Sequence, residues 1–390
     1  MGKAPLHHTL QQFFRAAMAG QKAVALWRQP NAQKMEACIQ LGDNLCTGQP
    51  QLERSPFGFL FCPFEATATH HNLFIKADVY FDGQARNYTF ADDLPKHQQE
   101  AFYTLLAADA VDGWHTPARN EQQNQNEQDF TRAVSSAVEA IAAGNMEKVV
   151  LSRCKQEPLP ENFCAVTAFE AMAEAYPRAF VSLVSVPGVG TWMGASPEIL
   201  VSINEDQVFH TVALAGTQTA VANVADAIWR QKEIEEQAMV ERYILSCFKK
   251  LRLRDYSEIG PRTVVAGNLM HLRTDFRVDM KEVHFPTLGT DMLELLHPTS
   301  AVCGLPKEPA LQFILSHEGY QRRYYSGYLG PVGQAAGAHL YVNLRCMELL
   351  PKEAILYAGA GVTSESDPQK EWQETEHKMQ TMRQILLNFE

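Results

Sequence analysis

Apolar side chains recur along this chain in two rhythms, one near 3.6 residues and one of two. Residues 130–143 follow the helical rhythm and stop at Gly144, where a glycine ends a helix readily. Lys148–Arg153 then reads as a strand and residues 165–176 as a helix. Phe180–Val186, Gly190–Met193 and Glu198–Ile203 read as strands, with Pro187-Gly188 as the turn after the first. A long helix spans 226–251, and strands return at Thr263–Ala266, His271–Phe276, His339–Cys346 and Ala354–Ala358. The last helix runs from about Gln369 to Asn388. Upstream, residues 8–20 are helical, and Phe57–Phe64 and Asn72–Phe81 look like strands. The polar stretch 116–129, TPARNEQQNQNEQD, reads as a surface connection, dividing an N-terminal region (1–125) from the remainder (126–390) within one fold. Strand pairs interrupted by occasional long helices predict an α+β fold: large antiparallel sheets packed together, with helices outside. A doubly wound parallel fold would need a more regular strand–helix alternation.

Composition narrows the function more than the fold. The 390 residues are 46% hydrophobic and 20% charged, enough for a sizeable core. A net charge of -11 repels phosphate backbones, so no nucleic-acid partner is expected. A small anionic substrate remains compatible, because a metal ion or a local arginine can reverse the potential inside one pocket. The eight cysteines form no CxxC pair and predict buried thiols rather than disulfides or a zinc site. No signal peptide, myristoylation motif or membrane span is visible, and the expectation is a soluble cytoplasmic protein.

Candidate chemistry lies on two helices and several strands. On the helix after Gln231, Val240, Ile244, Cys247, Phe248 and Leu251 form an apolar stripe. At ~100° per residue, Glu233 falls near its centre and Glu236 roughly 60° aside. On the last helix Trp372, Met379, Met382, Leu386 and Phe389 form the stripe, with Glu371 inside it and Glu374 at its margin. Two readings stand for both pairs: first-turn acids favoured by the helix dipole, or carboxylates converging on a hard cation such as Mg²⁺. In the Lys148 strand one face carries Lys148, Val150, Ser152 and Cys154, so the amine either snorkels to solvent or is desolvated into a base. Tyr341, Asn343 and Arg345 share the other face of the Leu340–Cys346 stretch, where the guanidinium could grip a carboxylate or make a surface ion pair. Leu214-Ala215-Gly216-Thr217 and Ala358-Gly359-Ala360-Gly361 each follow a strand, as tight turns or as bare backbone for an anion.

Taken in order, nine stretches resemble the chorismate-utilising enzyme family, which includes anthranilate, aminodeoxychorismate, isochorismate and salicylate synthases. They are KVVLSR (148–153), GASPEIL (194–200), LAGT (214–217), KEIEEQAMV (232–240), LHPTSAVCGLP (296–306), YSGYLG (325–330), LRC (344–346), YAGAGV (357–362) and SDPQKEWQETEHK (366–378). They cover roughly residues 126–390; the first 125 residues resemble the family's variable N-terminal part. The resemblance implies a chorismate-binding fold and Mg²⁺. It implies Glu236 and Glu374 as direct metal carboxylates, with Glu233 and Glu371 holding metal-bound water. It implies that Arg345, Gly359 and Lys378 hold the enolpyruvyl carboxylate, that Gly216 and Thr217 line the pocket, and that His297 lies near the ring. Lys148 stands where water-using members carry lysine and ammonia-using members usually carry glutamine, which implies a general base for water, with Glu198 as the opposing acid. One departure is Gln237, where many relatives have histidine.

The activity implied is that of an isochorismate synthase, an isomerase that adds water at C2 of chorismate and expels the C4 hydroxyl. It would act as a monomer without an amidotransferase subunit, for menaquinone or siderophore synthesis. A salicylate synthase, which also eliminates pyruvate, has the same Lys and Glu. An amine-forming synthase is disfavoured by Lys148, and a non-catalytic chorismate-binding protein by the joint presence of Lys148, Glu198, Glu236, Glu374 and Arg345.

Overall fold

Strand side chains alternate between two apolar surroundings, and this alternation builds the layers. In Ala23–Arg28, Val24 and Leu26 join one core, while Ala25 and Trp27 join another. In Glu353–Val362, Leu356 and Ala358 share that first core and Ile355 and Tyr357 the second. A strand apolar on both faces has to be covered on both. The computed structural model, which describes residues 9–108, 113–117, 125–219, 221, 224–266 and 269–389, meets this with two sheets face to face and helices outside.

The first sheet has ten strands, in the order Gly304–Leu305, Lys148–Pro158, Glu353–Val362, Cys346–Leu349, Gly190–Ser196, Phe180–Val186, Ala23–Arg28, Met35–Gln40, Val79–Asp82, Asn87–Phe90. The second has nine, in the order Ser257–Ala266, Leu269–Asp279, Val208–Thr219, Ile199–Ile203, Gly337–Val342, Tyr328–Gly333, Gly58–Cys62, Leu73–Lys76, Cys46–Thr47. The pairings within both sheets are antiparallel, as expected from the sequence. Between the sheets lies an aromatic layer: Phe180 of the first stacks on Tyr341 of the second with centroids 4.2 Å apart, and Phe61 stacks on Tyr324 at 3.9 Å. Each such ring contributes about 1.5–3 kcal/mol on burial. Helices Leu10–Ala19, Glu127–Ala142, Ala165–Ala175 and Pro368–Leu387 cover the first sheet; Gln231–Lys250 and Leu288–Leu296 cover the second. Among the described residues no helix is long and apolar enough to cross a membrane. All eight cysteines are free, and six of them are buried.

Several boundaries differ from the sequence reading, each for a physical reason. The helix expected over 226–251 begins at Gln231, because Arg230 is extended and Glu233 caps the first turn by accepting the Arg230 N–H at 2.8 Å. The single strand expected over His339–Cys346 is two strands. Gly337–Val342 belongs to the nine-stranded sheet and Cys346–Leu349 to the ten-stranded one. Arg345, expected on a strand face, sits between them in the left-handed region at φ 47°. Asn72–Phe81 likewise splits into Leu73–Lys76 and Val79–Asp82, one in each sheet. Gly359 and Gly361, read as following a strand, lie within Glu353–Val362. Gly216 occupies a bulge within Val208–Thr219 at φ 65°, a conformation suited to glycine. Of the polar connection read over 116–129, residues 118–124 lie outside the described residues, while Glu127–Asp129 already form the first turn of a helix capped by Asn126.

Candidate active site

Two places where the chain steps from one sheet to the other lie side by side. One is the step from Gly190–Ser196 to Ile199–Ile203, through Pro197 and Glu198. The other is the step from Gly337–Val342 to Cys346–Leu349, through Arg345. Backbone hydrogen bonds tie them: Ala195 N donates to Arg345 O at 3.0 Å, and Val342 N donates to Glu198 O at 3.0 Å. The Ser196 hydroxyl adds a bond to Val342 O at 2.5 Å. Glu198 and Arg345 are thereby fixed as neighbours, although far apart in sequence.

Lys148 opens its strand at the sheet edge, where it pairs with Leu305 and Val149 pairs with Gly304. Gly304 has to be glycine: at φ 145° a Cβ would lie 2.2 Å from the Lys148 carbonyl oxygen. Gly361, on the adjacent strand, leaves space for the lysine side chain, since a Cβ there would stand 3.1 Å from Lys148 Cε. Burial holds the Lys148 amine below the usual lysine range and Lys378 pushes the same way, against the fields of Glu236, Glu198 and Glu374. Burial likewise raises the Glu198 carboxyl to about 7, against the fields of Lys148, Arg345 and Lys378. The base candidate is therefore shifted down and the acid candidate up, by desolvation at a shared site.

The two acidic helices approach this pair by their second turns, with Glu233 and Glu371 in the first. Glu236 and Glu374 both act on Lys148. Lys378, one turn after Glu374, donates to Gly359 O at 2.8 Å and pairs with Glu374 at 2.6 Å. Glu371 is 7% exposed, so the carboxylate read as lying inside the apolar stripe is buried there. Glu233 is half-buried and its Oε2 caps its own helix, the dipole-type role, which leaves Oε1 for another partner. Gly216 lies against Glu233: a Cβ on the glycine would meet Glu233 Cβ at 3.0 Å. Thr217 pairs through its backbone with His271, and nothing is described of its side chain. His297 turns elsewhere: its Nε2 lies 3.1 Å from Phe64 O and 3.2 Å from Pro63 O, and its ring packs edge-on to Tyr328. Burial lowers its pKa to about 4, with Lys307 adding to the effect, so the ring is neutral and Nε2 carries the proton.

Tyr325, Glu318 and Arg322 were not singled out from the sequence. Tyr325 acts on Arg345, and its hydroxyl would lie 3.0 Å from a Cβ at Gly359. Its place in YSGYLG was the available signal. Glu318 and Arg322 form a buried ion pair behind the lysine strand; Glu318 accepts from Ser152 N, and Arg322 donates to Val150 O at 2.6 Å and Val302 O at 2.7 Å. Gln237, buried beside the acidic first turn, donates to Ala213 O and Thr274 Oγ1, both at 3.2 Å, and so fastens the Glu236 helix to the sheet.

The donor set suits a hard divalent cation in its chemistry: carboxylate oxygens from two helices, with no thiolate or imidazole among them. Among the described residues no three His, Cys, Asp or Glu side chains are gathered into a preformed cluster.

A family profile described as chorismate binding enzyme matches residues 52–387. Isochorismate synthase MenF of Escherichia coli is 27% identical over 297 residues, 74% of this chain and 67% of its own length. Isochorismate synthase DhbC of Bacillus subtilis is 29% identical over 269 residues, 65% of this chain and 67% of its own. Among solved structures, the menaquinone-specific isochorismate synthase MenF of Escherichia coli superposes with a TM-score of 0.77 at 22% identity, covering 97% of this chain and 91% of that one. At that identity the superposition shows the shared fold, while the profile spans nearly the whole chain: the protein is a member of the chorismate binding enzyme family.

Proposed function

We propose that this protein is a Mg²⁺-dependent isochorismate synthase. The observation that carries the reading is a lysine and a glutamate brought to one site from separate parts of the chain, the lysine held low and the glutamate held high by desolvation. Water addition at C2 of chorismate has to deliver one proton to a base, and expulsion of the C4 hydroxyl has to take one from an acid. Lys148 accepts the proton of the attacking water as its oxygen bonds to C2. The two ring double bonds shift, the C4–O bond breaks, and Glu198 protonates the departing oxygen so that it leaves as water. An amine held below the usual lysine range and a carboxyl raised to about 7 are each shifted toward their part. Arg345, with Lys378 and the backbone at Gly359, binds the enolpyruvyl carboxylate, and Gly216 and Thr217 line the pocket wall beside it. His297, neutral and turned to the Pro63 and Phe64 carbonyls, would act near the ring only by anchoring its own segment. Glu236 and Glu374 would hold Mg²⁺ directly, with Glu233 and Glu371 acting through water. The ion, when bound, supplies positive charge for the ring carboxylate. Water as the nucleophile needs no ammonia-supplying subunit, and the chain is proposed to act as a monomer. Isochorismate then feeds menaquinone, or a catecholate siderophore.

Incubation of the purified protein with chorismate and Mg²⁺, with and without ammonium, tests the reading by chromatography of the products. Isochorismate without pyruvate is expected, unaffected by ammonium and lost on chelation. Salicylate with pyruvate would place the chain among lyases, and an amine product or no turnover would overturn the proposal.

A smaller effect tests the lysine's placement. Gly361→Ala puts a methyl 3.1 Å from Lys148 Cε and displaces the amine. Turnover is expected to fall by about ten- to a hundredfold, as a misplaced catalytic group commonly costs, with an unchanged melting temperature. Wild-type turnover in this variant would mean that the position of the amine is not critical.

A further inference from the structure

One buried hydroxyl near the reacting pair has no protein partner. Ser300 is 1% exposed, and its Oγ makes no hydrogen bond. A buried polar group without a partner is costly, and native structures commonly satisfy it with an internal water. Ser300 lines a small cavity of about 20 Å³, and Glu198 lines the same cavity. That volume exceeds the roughly 10–15 Å³ that one water requires. Of the other hydroxyls around it, Thr211 Oγ1 donates to Leu200 O at 2.7 Å, Tyr243 Oη donates to Leu295 O at 2.8 Å, and Thr299 Oγ1 accepts from Ala301 N at 3.3 Å. Ser300 has a donor to spare, and Glu198 lines the same space.

We propose that Ser300 is a positioning residue for Glu198, holding its carboxyl group in place through one water bound in this cavity. The inference rests on the reading of Glu198 as the acid. A neutral carboxyl has one O–H to give and one oxygen that accepts. If the O–H is to point at the leaving hydroxyl, the accepting oxygen has to be held from behind. Lys148, Arg345 and Lys378 act on Glu198, and each has a proposed role toward the substrate. The Ser300 water holds the accepting oxygen. Ser300 follows His297 by three residues, on a segment anchored by the His297 contacts to Pro63 and Phe64 and by Lys307 donating to His297 O. A group on so fixed a segment can fix another.

The test is a double-mutant cycle on the full chain with chorismate and Mg²⁺. Ser300→Ala is expected to lower kcat by about tenfold, the size of one hydrogen bond, and to leave KM within about twofold. In the Glu198→Gln background, the same substitution should change kcat by less than about twofold, because there is no acid left to position. A tenfold loss that persists in that background would make Ser300 an independent structural residue and overturn the proposal. Unchanged kcat in Ser300→Ala would also overturn it while leaving the role of Glu198 intact. If Glu198→Gln itself turns over normally, the acid assignment fails first and the positioning role falls with it. A crystal structure of the wild-type protein gives an outcome independent of any variant. A water within hydrogen-bond distance of both Ser300 Oγ and the Glu198 carboxyl is expected, and a dry cavity would overturn the inference.

Discussion

Lys148→Ala is expected to lower turnover of chorismate by about 10²- to 10⁴-fold, the range that a positioned general base contributes. Mg²⁺ binding, followed by calorimetry, should persist, because the lysine is not among the carboxylates that would hold the ion. Removing the side chain also leaves a void among Glu236, Glu198 and Glu374. For that reason Lys148→Gln is a useful companion: it keeps the shape, loses the base and should lose activity equally. In the wild type the amine has to be neutral to act. Activity should therefore fall as the pH drops through the lowered lysine value, and this acid limb should vanish in both variants. Near-normal turnover in Lys148→Ala would mean that another group takes the proton.

Glu198→Gln should cost about 10²- to 10⁴-fold as well, for the opposite reason. The amide fills the same space and cannot protonate the departing hydroxyl. The sign of the pH effect is fixed by the direction of the shift. Burial raises the carboxyl to about 7, and the acid acts only while protonated, so wild-type activity should decline as the pH rises through that value. The residual activity of Glu198→Gln should lack this alkaline limb. If the limb stays at about 7 in the variant, a different acid governs it and the assignment of Glu198 is wrong.

Most elements of the fold were readable because the period of the apolar positions reports which faces are covered. Lys148–Pro158, Phe180–Val186 and Pro368–Leu387 begin within a residue or two of their expected positions. The places where the chain changes sheets were not readable. In a sandwich a strand is apolar on both faces in either sheet, so the pattern runs through Asn343–Arg345 without marking the step. The same blindness hid the split between Lys76 and Val79, where the Asp78 carboxylate accepts the Leu41 N–H at 2.9 Å. Glu233 and Glu236 could be placed on one helix face from spacing, but not given different tasks. That separation came from Arg230, whose extended backbone presents its N–H to Glu233. Lys148 was ambiguous between snorkelling and desolvation until Gly361 was seen to leave it an inward path. Ser300 carried no signal in the sequence, since a buried serine next to a proline-containing turn is ordinary.

The adjacent sheet-to-sheet steps also bear on how the enzyme can fail. Glu198 and Arg345 each belong to a span with one end rooted in either sheet. Their spacing is therefore a vernier of how far one sheet has slid across the other. The aromatic stack of Phe180 on Tyr341 sets that slide, in the interior rather than in the pocket. A sequence change that lets the layers creep would detune acid and anion grip together while every group that meets the substrate stayed intact. In this architecture a remote lesion in the hydrophobic interior has the symptoms of a damaged active site.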